Sequence, residues 1–163
     1  MKKTLFILLA LLPTTIFAQK FGHINSQELF ALMPEMKAVK QKLDTLQSSY
    51  ENQLVGMQEE FNKKLQDFQQ NQATMTDGVK EFRQQELAEM EQRVQLFLQT
   101  AQQDIKKKQE EYLQPIQEKM NKAIKAVGER GGFTYIFESG TLHYISNDAI
   151  DLMSEVKKEL NIK

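Results

Sequence analysis

The sequence predicts an α+β fold: a long antiparallel α-helical hairpin, coiled-coil-like, set on a small β-sheet body. Three observations carry this. Between Pro34 and Gly128 the chain is dense in Gln, Glu and Lys, with apolar residues at heptad-like spacing. The stretch "NQATMTDGVK" interrupts that pattern near its middle. After it ends, "GERGGFTYIFESGTLHYISND" alternates aromatic and polar residues around glycines, which reads as a short β-prone hairpin.

The chain opens with "MKKTLFILLALLPTTIFAQ". Two lysines, an apolar run from Leu5 to Leu12, Pro13 and the small residue Ala18 have the order of a secretory signal peptide. The run is too short to span a bilayer. Residues 1–18 are therefore expected to be cleaved after Ala18, leaving 145 residues outside the cytoplasm. Without Lys2 and Lys3 there are 19 basic residues against 22 acidic ones, about −3. That balance argues against nucleic-acid binding and against strong attraction to an anionic membrane. With no cysteine, disulfides contribute nothing.

The elements follow in order. Residues 19–34 form the first part of the body. "KFGHI" (Lys20 to Ile24) alternates as a short strand, Asn25 with Glu28 suggests a helix cap, and "SQELFALM" a short helix ending near Pro34. Residues 35–115 form the hairpin arm. Met36, Val39, Leu43, Leu46 and Tyr50 fall at steps of 3, 4, 3 and 4. Leu54, Met57, Phe61, Leu65 and Phe68 continue with wider spacing, which relaxes the supercoil. The turn is expected near 72–79, with Asp77-Gly78 as its signal. Leu87, Met90, Val94, Phe97 and Ala101 then resume the heptad. About this turn Pro34 and Pro115 lie at nearly one level and mark the base of an arm roughly 60 Å long at 1.5 Å per residue. Pro115 is expected to kink its helix.

Residues 116–163 complete the body. Ile116, Met120, Ile124 and Val127 extend beyond the first helix and need another apolar surface. Phe133, Tyr135 and Phe137 alternate on one strand, Ser139-Gly140 makes the turn, and Thr141 to Ile145 returns beside it. Ser146, Asn147 or Asp148 caps a last helix whose stripe is Ile150, Met153, Val156 and Leu160.

Catalytic chemistry is not legible. His23 and His143 have no metal-site spacing with carboxylates, and His143 falls on a predicted strand. Glu59-Glu60 and Glu110-Glu111 are adjacent and point to different azimuths of a helix. "GERGG" follows a helix and lacks a phosphate-loop pattern. No enzyme, cofactor or metal is implied.

The arm's large apolar residues admit two readings. Met57, Phe61, Phe68, Met75, Phe82, Met90 and Phe97 either fill the arm's own seam or stay partly exposed for a flexible apolar partner. Val55, Leu96 and Leu98 lie beside the seam and are better placed for exposure, as are Met75 and Phe82 near the tip.

"KFGHINSQELFALMPEM", directly after the leader, resembles the opening of the Skp/OmpH family of periplasmic chaperones. "YLQPIQEKMNKAIKAVGERGGFTYIFESGTLHYISNDAIDLMSEVKKELN" resembles its ending, and the likeness spans the whole chain after the leader. The ends are specific, whereas the arm is generic coiled coil. The resemblance implies a homotrimer in which strands from three subunits share one β-body and three arms surround a cavity. It implies ATP-independent holding of unfolded outer-membrane β-barrel proteins in that cavity. By position, Phe21, Ile24, Phe133, Tyr135, Phe137, Tyr144 and Ile145 would build the body. Val55, Met57, Phe61, Phe68, Met75, Phe82, Leu96 and Leu98 would meet the client. One departure stands out. Family members are often strongly basic, and some are proposed to bind lipopolysaccharide, but from Phe61 to Gln85 this chain carries only about +1. No lipopolysaccharide site is expected. An envelope scaffold whose arms pair with a folded helical partner is the alternative.

Overall fold

Two helices make up most of the chain. The computed structural model describes residues 19–162, so the expected leader lies outside the described residues. The order is strand β1 (Phe21–Ile24), helix α1 (Ser26–Leu32), helix α2 (Glu35–Asn71), helix α3 (Asp77–Gly131), strand β2 (Tyr135–Glu138), a 3-10 turn (Ser139–Thr141), strand β3 (Ile150–Asp151) and helix α4 (Met153–Glu159). These residues fall into two units, one of 27–122 and one of 19–26 with 123–161.

In the unit of 27–122, α2 and α3 form an antiparallel hairpin. Its alignment is fixed at three levels. Glu35 pairs with Lys119, Tyr50 Oη donates to Asp104 Oδ2 at 2.9 Å, and Lys64 pairs with Glu86. Val39, Met90, Ala101, Ile116 and Met120 are buried, as are Leu29 and Met33. Most other seam positions, among them Leu43, Leu54, Leu65, Leu87 and Val94, are only half-buried. That follows from geometry, since two helices bury one narrow stripe and leave its flanks wet. Tyr50 packs edge-on against Phe97, with ring centroids 5.7 Å apart. Asp77-Gly78 begins α3 instead of making the turn. The turn is Gln72 to Thr76, with Thr76 O accepting the first helical bond from Lys80 N at 3.0 Å. α3 runs unbroken through Pro115.

In the other unit the three strands form one sheet in the order β2-β1-β3, and both pairings are parallel. This corrects the expected β-hairpin. Thr141 to Ile145 is not a strand, and Ile150 belongs to β3 instead of the last helix, which begins at Met153. The reason is the parallel pairing itself. β2 and β3 flank β1, and parallel neighbours need a crossover between them. Residues 142–149 are used up as that crossover. His143 therefore sits exposed in a loop, and His23 half-buried in β1.

Helix α3 ends in the way its glycines suggest. Gly132 adopts φ +65°, Gly132 N donates to Glu129 O and Phe133 N to Gly128 O. This is a Schellman cap, which glycine forms without steric cost. Beneath the sheet, Ile24, Leu152, Val156, Leu160, Ala123 and Val127 are buried. Gly22 lets that layer close up, because a Cβ there would lie 2.8 Å from Leu152 Cδ1.

Candidate functional site

Each unit carries one surface that its own packing leaves unfinished. Along the hairpin these are the flanks of the seam. Val55 on α2 is 51% exposed, and Phe82 and Leu96 on α3 are each 64% exposed. Met57, Phe61, Phe68, Met75, Phe97 and Leu98 are half-buried, and Met90 is buried at 4%. Met75 thus departs from the expectation of exposure, as does Leu98. Leu98 lies nearer the seam than Leu96, which is two positions away and so about 200° around the helix. Val79, exposed at the start of α3, was not anticipated; it adds to the apolar surface at the tip.

Phe82 and Leu96 line one groove, together with Glu86, Glu89 and Arg93 between them. They are fourteen residues apart, close to four whole turns, so they project to the same flank of α3. Glu86 on this flank is paired twice. Glu86 accepts from Lys64 of α2 and, at 2.7 Å, from Arg83 Nη1. The Lys64 bond, then the Arg83 bond, hold the Glu86 carboxyl below its ordinary range. At the other end, Lys119 does the same for Glu35. Such pairs align the hairpin but offer nothing catalytic. Among the described residues no cluster of His, Cys, Asp or Glu can hold a metal, and no helix is long and apolar enough to cross a membrane.

The sheet carries the second surface. Strand alternation splits the seven predicted body residues. Ile24 is buried, and Phe133 is half-buried beside Gly22 and Gly131. Phe21, Tyr135 and Phe137 share the opposite face. The Phe21 and Tyr135 rings stack with centroids 6.0 Å apart, and Phe137 lies 6.0 Å from both. Tyr135 is nevertheless 57% exposed. Tyr144, almost fully exposed, and half-buried Ile145 come from the crossover loop and border a shallow hollow of about 160 Å³ with Phe21, Phe137 and Ile150. Ile150 and Leu142 were missed as surface residues, because Ile150 had been placed on the stripe of a helix. A parallel sheet is ordinarily covered on both faces. Here one face has a covering layer and the aromatic face is open.

Comparison with known proteins agrees with this architecture. Residues 20–160 match the family model for outer membrane protein (OmpH-like). The chain is 21% identical over 146 residues to "Chaperone protein Skp" of Yersinia enterocolitica, covering 90% of this chain and 88% of that protein. It is 22% identical over 143 residues to the protein of the same name from Pectobacterium atrosepticum, covering 88% and 86%. The crystal structure of an OmpH-like protein from Caulobacter crescentus CB15 superposes with a TM-score of 0.76 at 16% identity, over 88% of this chain and 85% of that one.

Proposed function

Since the chain belongs to the OmpH-like outer membrane protein family, we propose that it is an ATP-independent holdase. It is exported to the periplasm and binds unfolded outer-membrane β-barrel proteins before they aggregate. It is not an enzyme, in keeping with its relatives, which are chaperones. The observation that carries the reading is the hairpin's surface. Val55, Phe82 and Leu96 stand exposed beside a half-buried row of Met and Phe, on a rod with no catalytic constellation. Many weak apolar contacts of this kind hold an unfolded chain in sum while each releases readily.

The open aromatic face supports assembly into a homotrimer. Phe21, Tyr135, Phe137 and Tyr144 need cover that their own chain does not supply, and a second and third copy of the same face would supply it. The hairpins of the three copies would then surround the client.

The test is to dilute urea-unfolded porin into buffer with and without the purified protein and follow light scattering. Suppression of scattering at a modest excess of trimer is expected. Unchanged scattering, or a stable complex only with a folded periplasmic partner, would replace this reading with that of an envelope scaffold.

A further inference from the structure

The flank of the hairpin that carries Gln58 holds a second groove, about 770 Å³, between α2 and α3. Four side-chain amides line it, Gln58 and Asn62 from α2 and Gln92 and Gln95 from α3. Among the described residues none of these four amides has a hydrogen-bond partner. Some other glutamines on the same helices are engaged, Gln47 with Glu51, Gln85 with Glu89 and Gln114 with Glu118, while others such as Gln66 and Gln99 are not. Half-buried Phe61 and Val94 add apolar surface between the amides. Glu91 is the only charged residue lining the groove. It belongs to a belt, residues 49–62 and 88–103, with five acidic residues against Arg93 alone. Arg93 lines the opposite groove, with Phe82 and Leu96.

We infer that this groove takes an extended segment of unfolded polypeptide by its main chain, where a basic side chain stands beside an apolar one. The inference rests on the holdase reading and adds what the hairpin recognises. A side-chain amide carries the same donor and acceptor as a peptide group. Gln58 and Asn62 are one turn apart, about 6 Å along the helix. An extended chain repeats its outward N–H and C=O about every 6.6 Å, so successive amides meet successive groups. A folded partner has already paired most of its main chain and offers few such groups. Phe61 and Val94 take the apolar side chain. Glu91 and its belt favour Lys or Arg over Glu or Asp, an effect that salt weakens.

The test uses the purified protein and three short labelled peptides in fluorescence anisotropy. One alternates Val and Lys, the second is the same peptide with alternate main-chain nitrogens methylated, and the third carries Glu for Lys. The first is expected to bind, and each of the others to bind at least about tenfold more weakly. The double variant Gln92→Leu, Gln95→Leu, with unchanged circular dichroism, is expected to lose most of the preference against the methylated peptide. Equal binding of methylated and unmethylated peptides, equal binding of the Glu peptide, no binding of the first, or an unaltered preference in the variant would each overturn the inference. Porin scattering on the same samples separates the two readings. Protection by the wild type without peptide discrimination sinks the groove alone, and absence of protection sinks the holdase reading.

Discussion

Lys64 of α2 and Glu86 of α3 form an ion pair across the hairpin, and Arg83 holds the second oxygen of the same carboxylate. The folded pKa of Glu86 is lowered by these partners. Its stabilising effect is therefore fully present above the unfolded carboxylate value, about 4.3, and is lost as pH falls through the lower folded value. The hydrogen-exchange protection of amides around residues 62–88, relative to their intrinsic rates at each pH, is expected to fall selectively below about pH 4. In Glu86→Gln that acid-dependent step should vanish, and persistence of the step would place its origin elsewhere.

Phe137 lies 6.0 Å from both Phe21 and Tyr135 on the open face of the sheet. Phe137→Asp places a charge in the face proposed to join three copies, where desolvating it is costly. Sedimentation equilibrium is expected to show monomer mass for the variant and trimer mass for the wild type, with helicity retained in both. A trimer unaffected by the change would locate the interface on another surface.

Leu152 is 2% exposed and meets Gly22 beneath the sheet. Leu152→Ala removes buried apolar volume and is expected to cost about 2–5 kcal/mol. Denaturant unfolding monitored by tyrosine fluorescence will read this as a fall in midpoint. A cost near zero would mean that the layer beneath β1 is loosely packed.

Gly132 has φ +65° in the cap of α3. Alanine in that conformation is expected to cost about 1 kcal/mol, seen as a Tm lower by a few degrees.

Gly56 sits in the interior of α2 with open space where a Cβ would lie. Gly56→Ala should stabilise the helix by about 1 kcal/mol, since it removes unfolded-state freedom and displaces nothing. Thermal unfolding measured by circular dichroism at the helical band distinguishes this gain from the loss at Gly132.

The helices were legible because their information is local. The steps Met36, Val39, Leu43, Leu46, Tyr50 and Leu87, Met90, Val94, Phe97, Ala101 place one stripe on each helix, and the short turn between the helices makes them antiparallel. The cap at Gly131-Gly132 was legible for the same reason. Exposure on the flanks was legible only in part. Val55, Phe82 and Leu96 are open as their placement suggested, whereas Met75 and Leu98 are half-buried. That difference depends on how the partner helix shields one flank, which no single helix encodes.

The strand partners were not legible. Phe133, Tyr135 and Phe137 followed by Ser139-Gly140 look like a hairpin because nearest neighbours in sequence are the cheapest to pair. The protein instead pairs β2 with β1, more than a hundred residues earlier, in the register Phe21 with Tyr135 and His23 with Phe137. β1 offers an edge on each side, one to β2 and one to β3. By itself the amino-acid sequence determined the helical arm, the region of its turn and the amphipathic strand near its end. Only the tertiary structure decided that the strands run parallel, that the aromatic face is left open, and that Leu142 to Ala149 serves as a crossover. Strand pairing is a choice among distant partners of similar local propensity, and it is settled by side-chain packing between strands and by which face is buried.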